Sequence, residues 1–261
     1  MSLPTVSDAA VLAVPTASHG AIQLEQVSVR YRVPVERYWS FKEYAIRRLQ
    51  GRVDHREFWA LHGVTFEVDP GEVFGVVGRN GAGKSTLLKV VSRVLRPTAG
   101  RVRVRGVVAP LLELGAAFHA ELTGRENVYL NAALLGRTRR EVDERFERIA
   151  EFADIGGFLE APLRTYSTGM VARLGFSVAT AWEPDVLILD EVLAVGDEAF
   201  QRKCFARIDS FRQRGATVLL VSHNARVVSE LCQRAAWIDH GVVQAVGQAD
   251  EVTARYQESL G

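Results

Sequence analysis

A glycine-rich stretch that ends in lysine, serine and threonine constrains the fold of this chain more than any other feature. It covers residues 78–86 (GRNGAGKST), directly after the short apolar run Val73–Val77 and before the helix-like residues 87–95. Glycines let the backbone curl so that successive N–H groups face an anion, and the start of the following helix adds its dipole. The pattern therefore predicts a phosphate-binding loop between a buried parallel strand and a helix, and so an α/β fold.

The side chains of this loop suit the phosphates of a nucleoside triphosphate and a magnesium ion. Lys84 is expected to neutralise the β and γ phosphates, and the hydroxyl of Ser85 to ligate Mg²⁺. The residues predicted to contact the nucleotide here are Gly78, Asn80, Gly81, Ala82, Gly83, Lys84, Ser85 and Thr86.

Two adjacent carboxylates end a second apolar strand, Val186–Leu189. An acid at the carboxyl end of a buried strand, close to a phosphate loop, is well placed to hold Mg²⁺ through water, and Asp190 is assigned that role. The next residue points elsewhere, so Glu191 is predicted to polarise the attacking water as the catalytic base. The pair is informative only in combination with the loop, because many strands end in solvated acids.

Charge and composition exclude several classes of protein. The 32 basic and 31 acidic residues leave a formal charge of +1, which argues against a nucleic-acid-binding protein. We find no apolar run long enough to span a membrane, and the two cysteines form no CxxC pair, so a reducing cytoplasm fits best. Residues 1–20 lack the basic start of a signal peptide and are expected to form a flexible tail.

The remaining pattern alternates strands with helices. Residues 21–32 read as an edge or half-buried strand, and further strands are predicted at 58–68, 101–108, 217–221 and 236–238. Helices are expected at 139–152, at 169–182 with Ser167 as its N-cap, and at 226–232. The first two lie within a helical block of about residues 118–183. Strands alternating with helices predict a largely parallel sheet.

The segment Tyr166-Ser-Thr-Gly-Met170 resembles the signature motif of ABC ATPases, usually written LSGGQ. It lies in the expected order with the phosphate loop, the acidic pair and a Val-Ser-His sequence that ends at His223. The resemblance covers about residues 22–246. It implies a P-loop NTPase core with a mostly parallel sheet, an antiparallel β subdomain and a helical subdomain, which together form an ATP-binding domain over residues 21–250.

The resemblance also implies a mechanism in which ATP and Mg²⁺ lie between two copies of the chain. Ser167, Thr168 and Gly169 would contact the γ-phosphate held by the second copy in a head-to-tail dimer. His223 would sense that phosphate, and Asp197 would belong to the loop that crosses the dimer interface.

Two family positions depart from the usual pattern in this sequence. No glutamine stands where the Q-loop is expected, so Glu113 is taken as its substitute and as a further Mg²⁺ ligand. The aromatic residue that stacks on adenine is assigned to Tyr31, with Phe58 and Trp59 as alternatives because an insert follows Tyr31.

Where this sequence departs from the common ABC ATPase pattern, it resembles one branch of the family. That branch comprises the ATPases that export lipid-linked polysaccharides such as O-antigen, capsules and teichoic acids. Residues 33–56 form the extra segment of that branch, where it serves as a gate helix; a solvated helix covering the core is the alternative. Its predicted apolar face comprises Phe41, Ala45 and Leu49, and its basic rim comprises Lys42, Arg47, Arg48 and Arg52.

The resemblance therefore implies an ATPase at the cytoplasmic face of the cytoplasmic membrane, bound to a separate permease in a 2:2 complex that moves a lipid-linked polysaccharide. No nucleic acid is expected. Alternatives are the ATPase of another ABC transporter, a soluble ABC ATPase of translation or repair, and a nucleotide-holding module. Residues 251–261 are predicted as a tail helix, and too few residues follow His240 for a separate glycan-binding sandwich, so we expect none.

Overall fold

The computed structural model describes residues 20–34, 55–111, 114–115, 117–190 and 196–260. The strands are β1 (Ile22–Pro34), β2 (His55–Val68), β3 (Val73–Val77), β4 (Ala99–Val104), β5 (Val108–Leu111), β6 (Val186–Leu189), β7 (Thr217–Ser222), β8 (Arg234–Asp239) and β9 (Val242–Gln248). The helices are α1 (Lys84–Val91), α2 (Gly124–Leu134), α3 (Arg139–Asp143), α4 (Phe146–Ala153), α5 (Thr168–Ala179), α6 (Glu198–Gln213), α7 (Ala225–Leu231) and α8 (Ala249–Glu258), with short 3₁₀ turns at Gly156–Glu160 and Leu163–Thr165.

The central sheet has the strand order β5-β6-β7-β3-β8-β9 among the described residues. Every pair in it is parallel except β8 with β9. Strands β3, β6 and β7 are buried along their whole length, as continuous apolar runs in a two-sided parallel sheet should be. The prediction of a largely parallel α/β core is confirmed.

A second, antiparallel sheet has the order β2-β1-β4. β1 pairs on one side with β2, where Ile22 faces Val68, and on the other with β4, where Ile22 faces Val104. It is therefore the central strand, so the edge-strand alternative was wrong and the half-buried one is correct. Its apolar face packs onto α1 through the core that contains Leu24, Leu61 and Leu87.

The first two strands are longer than their sequence pattern predicts, which corrects the predicted bounds of the insert. Val33 pairs with Arg56 and Pro34 with His55, so the ends of residues 33–56 continue the β1–β2 ladder. Salt bridges from Arg30 and Arg32 to Glu57 support this extension on the solvent side. Residues 35–54, which hold the predicted gate helix, lie outside the described residues, as does the predicted tail up to residue 19.

Some predicted elements divide or end early because local backbone signals override the apolar spacing. The strand predicted at 101–108 is two strands in different sheets, separated by a turn at Gly106 (φ 79°) where a Cβ would lie 2.3 Å from Asp185. The helix predicted at 139–152 is interrupted after α3, and α4 restarts at Phe146. The signature helix was expected to reach residue 182 but ends at Ala179.

The helical block forms its own apolar core from α2, α4 and α5, with Val128, Ile149 and Leu174 at its centre. The C-terminal helix α8 begins at Ala249, and Val252 and Tyr256 are buried against the central sheet. The helix predicted over 251–261 is therefore present as α8, which begins slightly earlier than predicted and packs onto the core. Within the described residues, no helix has both the length and the apolar content that crossing a bilayer requires.

Candidate nucleotide site

The loop after β3 has a backbone that requires glycine at defined positions. Gly81 and Gly83 adopt φ angles of 83° and 106°, which other residues rarely adopt. A Cβ on Gly83 would lie 2.4 Å from the carbonyl oxygen of Ala60, and one on Gly78 would lie 2.2 Å from that of Ile238. The glycines therefore allow both the curled backbone and its close contact with the neighbouring strands.

Hydrogen bonds anchor this loop to both sheets. The carbonyl of Ala82 accepts a hydrogen bond from the N–H of Gly241 at 2.9 Å, and the carbonyl of Gly241 accepts one from the N–H of His62 at 2.8 Å. The loop is thus fixed between the β8–β9 turn and strand β2, so its N–H groups need little reorganisation to bind an anion.

Lys84 begins α1 and is almost fully enclosed, with 9% of its surface exposed. Its ammonium group donates hydrogen bonds to the carbonyls of Gly78 (2.6 Å) and Arg79 (3.1 Å), which hold the charge over the loop. Ser85 is exposed on the first turn of the helix, beside it. This arrangement suits the polyphosphate and metal roles that the sequence predicts for the two side chains.

The carboxyl ends of three parallel strands bring the other predicted residues to the same edge of the sheet. Leu189 of β6 is in register with Leu220 of β7, and Ser222 of β7 with Val77 of β3. The half-buried Asp190 therefore follows β6 at the edge where the phosphate loop follows β3, and the exposed His223 directly follows β7, the strand between them. Glu191 lies outside the described residues, and its role stays a prediction.

The donor atoms at this edge fit magnesium. The hydroxyl of Ser85 and the carboxylate of Asp190 are hard oxygen ligands, which Mg²⁺ prefers. The part of the chain that the structure describes contains no group of three or more His, Cys, Asp or Glu residues able to enclose a metal ion.

The candidate adenine-stacking residues divide between two faces of the antiparallel sheet. Tyr31 is in direct register with Phe58, and their rings stack at 5.5 Å. Tyr31 packs against the core that contains Leu61, the residue whose side chain approaches Gly83. Trp59 pairs with Arg30 in the ladder, on the opposite face from its neighbour Phe58. The Tyr31–Phe58 pair therefore shares the face that is directed towards the phosphate loop.

The signature segment forms an exposed, capped helix start, as the sequence predicts. The side chain of Ser167 accepts a hydrogen bond from the N–H of Met170 at 3.2 Å, and Ser167 and Thr168 are exposed while Gly169 is half-buried. Tyr166 has a structural reason to replace the usual leucine, because its hydroxyl donates to the carbonyl of Phe158 at 2.5 Å. Its ring packs within the helical block.

Asp197 and the signature helix are joined by a residue that the sequence pattern did not reveal. Asp197 caps α6 by accepting from the N–H of Phe200, and this hydrogen bond, with the nearby Arg173, holds the pKa of its carboxyl below the usual value. Arg173 of α5 forms a salt bridge with Asp197 at 2.9 Å and donates to the carbonyl of Asp154 at 2.9 Å. The sequence analysis placed Asp197 in the interface loop but did not predict its role as a helix cap, and the position of Arg173 follows only from the packing.

Replacing Arg173 with Ala is expected to lower the free energy of unfolding by about 1–2 kcal/mol, through loss of the Asp154 hydrogen bond and of packing over Phe200. The pKa of Asp197 is lowered in the folded state. The stabilisation that its carboxylate provides is therefore fully present above the pKa of the unfolded state, and it is lost as the pH falls through the pKa of the folded state. Urea titrations at neutral and acidic pH should show the smaller loss in acid. The matched control is Arg202→Ala, an exposed residue of α6. Equal stability of Arg173→Ala and wild type would contradict the assignment.

A buried asparagine organises the segment that follows the predicted Q-loop. Asn127 accepts from the N–H of His119 and donates to the carbonyls of His119, Leu122 and Thr123. This fixes the approach to α2. Glu113 lies outside the described residues, so its substitution for the Q-loop glutamine stays a prediction.

A parallel α/β sheet with a phosphate loop at its carboxyl edge and a capped helix start in a helical block defines a nucleotide-binding protein of the phosphate-loop class. The chain belongs to the ABC transporter family, as an ATP-binding subunit with ATPase chemistry: the family pattern described as "ABC transporter" matches residues 61–194. Similar solved structures include a dimeric ATP-binding cassette, MJ0796, in a post-hydrolysis state bound to ADP and Pi, with a TM-score of 0.66, 20% identity and coverage of 87% of this chain and 98% of that one.

Several relatives have curated names. This chain is 52% identical over 205 residues to the O-antigen export system ATP-binding protein RfbB of Klebsiella pneumoniae, covering 78% of this chain and 83% of that protein. It is 44% identical to RfbB of Myxococcus xanthus, covering 93% of this chain and 57% of that protein. It is 43% identical to the teichoic acids export ATP-binding protein TagH of Levilactobacillus brevis, covering 77% of this chain and 55% of that protein. The chain thus spans little more than half the length of the latter two relatives.

Proposed function

We propose that this chain is the ATP-hydrolysing subunit of an exporter that moves a lipid-linked cell-envelope polysaccharide across the cytoplasmic membrane. The observation that carries the proposal is the 52% identity over 83% of an O-antigen export ATP-binding protein. The lengthened β1–β2 ladder supports it, because it leads into and out of residues 35–54, the segment that resembles the gate helix of that branch.

In the proposed mechanism, the chain's own residues bind, orient and activate the reactants. Lys84 and the loop N–H groups bind the β and γ phosphates, while Ser85 and Asp190, with Glu113 as a further candidate, hold Mg²⁺. A bound Mg²⁺ would supply positive charge against the negative charge that develops on the phosphates. Glu191 accepts a proton from the attacking water, and His223 donates a hydrogen bond to the γ-phosphate.

The second half of each site comes from a second copy of the chain in this proposal. The start of α5 is exposed and carries the positive end of the helix dipole, together with Ser167 and Thr168. A helix start of this kind suits a γ-phosphate presented by another surface. Asp197 and Arg173 then link that helix to the loop at the proposed dimer interface. Through this link, closure of one nucleotide site changes the conformation of the other.

The adenine ring is proposed to stack on the Tyr31–Phe58 pair, with Phe58 offering the more exposed surface at 49%. Phe58→Ala is expected to weaken ATP binding about 5- to 150-fold, because base–aromatic stacking contributes about 1–3 kcal/mol per base. The matched control is Trp59→Ala, which removes an equally exposed ring from the opposite face. Titration with MgATP measures both. Weakened binding in Trp59→Ala alone would reverse the assignment.

The partner in the membrane is proposed to be a separate permease, with two copies of each subunit and this chain on the cytoplasmic face. Residues 35–54 are then close to the entrance for the lipid-linked glycan. Such a position gives the basic residues of this segment anionic lipid phosphates to contact.

The proposal is tested by separating export from ATP turnover. Arg47→Gln, Arg48→Gln and Arg52→Gln together are expected to leave ATP hydrolysis by the purified chain near wild type and to reduce surface glycan at least several-fold in cells. Immunodetection of surface glycan and extraction of the lipid-linked precursor give the readouts, with Arg140→Gln, an exposed arginine of α3, as control. Normal export with a normal precursor pool in the triple variant would exclude the insert from transport. Normal export of the glycan in cells that lack this chain would exclude the proposed export function.

A further inference from the structure

A cavity of about 320 Å³ lies between the helical block and the central domain, away from the phosphate loop. It is bordered by α4, by the end of α5 and by the second half of α6. Residues 180–183 on its wall precede the amino end of β6, whereas the phosphate loop follows the carboxyl end of β3. The cavity and the nucleotide site therefore lie at opposite edges of the sheet.

Positive charge dominates the wall of this cavity. Arg145, Arg148, Arg207 and Arg214 line it, and Glu183 is the acidic residue that faces them among the described lining residues. Glu183 is already engaged by Arg214 at 3.0 Å. Burial lowers the pKa of Arg207, and the neighbouring charge of Arg214 adds to that effect. Mutual repulsion of closely placed cations is relieved when an anion binds among them.

Two of these arginines already form hydrogen bonds within the protein, but each keeps further N–H donors available. Arg145 donates to the carbonyl of Ala181 at 3.0 Å and Arg207 to that of Thr180 at 3.1 Å, so both support the carbonyl end of the signature helix. Each of these bonds uses one of the five N–H donors of a guanidinium group. Stabilising a helix end needs about one cation, whereas this wall presents four.

A buried indole on the same wall lacks a hydrogen-bond acceptor. Trp182 is 8% exposed, and among the described residues no acceptor lies within hydrogen-bond distance of its Nε1. Arg137 and Arg145 flank its ring at 5.1 and 5.9 Å. Leaving a buried N–H unsatisfied is unfavourable, and such donors in native proteins usually have a partner. Nε1 itself has almost no accessible surface, so the wall would have to shift before a molecule in the cavity could accept a hydrogen bond from it.

We infer that this cavity binds the phosphate group of a small anion, with the arginines of its wall neutralising the charge and donating to the phosphate oxygens. Arginine suits phosphate because its planar donors match pairs of phosphate oxygens. The volume accommodates a free phosphate or a monosaccharide phosphate. A ligand there contacts α4, the end of the signature helix and α6 together, and so stabilises one arrangement of the helical block against the central sheet.

The site is tested in full-length protein carrying Lys84→Ala, which removes phosphate binding at the nucleotide loop. Inorganic phosphate and glucose 1-phosphate are titrated separately at constant ionic strength, and binding is followed by calorimetry and by the rise in melting temperature. Saturable binding of either anion is expected. Tighter binding of inorganic phosphate identifies a free-phosphate site, and tighter binding of glucose 1-phosphate identifies a sugar-phosphate site.

Two variants and a control identify the residues involved. Arg148→Ala and Arg214→Ala each remove one cation from the wall, and each is expected to weaken binding at least five-fold. Arg212→Ala, on α6 but paired with Asp209, should bind as the parent does. A purely structural role for Arg214, through its salt bridge with Glu183, predicts a changed melting temperature without ligand and unchanged affinity. Unchanged affinity in both variants, or no saturable binding of either anion, would overturn the inference.

Discussion

Lys84→Ala is expected to weaken MgATP binding about 100-fold and to reduce ATP hydrolysis to background. The side chain is 9% exposed, and its ammonium group is held at the centre of the loop by two backbone carbonyls. A hydrogen bond to a charged partner contributes about 1.5–3 kcal/mol, and a phosphate bound to the loop without Lys84 loses this stabilisation. Calorimetric titration with MgATP and a steady-state turnover assay measure the two effects.

Lys89→Ala is the matched control, because Lys89 is an exposed lysine on the same helix and faces solvent. It should bind and hydrolyse ATP as the wild type does. A melting curve of Lys84→Ala without nucleotide separates loss of binding from loss of folding. Wild-type turnover by folded Lys84→Ala would remove the loop from the catalytic site.

Glu191→Gln should leave ATP binding nearly intact while slowing hydrolysis about 1,000-fold, and an ATP-dependent dimer should accumulate. The amide preserves the shape of the side chain but cannot accept the proton of the attacking water, and general-base catalysis contributes about 10²- to 10⁴-fold. The closed state then persists because hydrolysis is the step that opens it. Sizing chromatography with and without MgATP reports the dimer, and single-turnover kinetics report the chemical step.

Two further variants make this outcome specific. Glu198→Gln changes an exposed acid at the start of α6 and should hydrolyse ATP normally. Adding Ser167→Arg to Glu191→Gln places a bulky cation at the exposed start of α5 and should prevent the dimer while sparing ATP binding by each copy. A dimer that persists in the double variant would exclude the signature helix from the interface.

The chemistry of the phosphate loop could be predicted because it resides in local sequence. A short apolar strand and three glycines each specify their own backbone, so Val73–Val77 has its predicted bounds. The serine cap of the signature helix is equally local, and the side chain of Ser167 accepts the expected hydrogen bond.

Features that depend on distant partners could not be predicted in this way. Residues 101–108 alternate as one strand would, but Gly106 divides them because Asp185, far along the chain, occupies the space where a side chain would lie. The face shared by Tyr31 and Phe58 depends on the register of β1 with β2. Arg173 and Trp182 carry no local signal, since their importance arises from partners, or the lack of one, in three dimensions.

The most direct measurement of the central claim is transport in proteoliposomes that contain this chain, its permease partner and the lipid-linked glycan. MgATP is added on the side that carries this chain, and glycan that has crossed the bilayer is scored by its protection from an added glycosidase. The account predicts that protection increases with time for the wild type and stays at the starting level for Glu191→Gln. Steady ATP hydrolysis by the wild type with the glycan remaining fully accessible would contradict it.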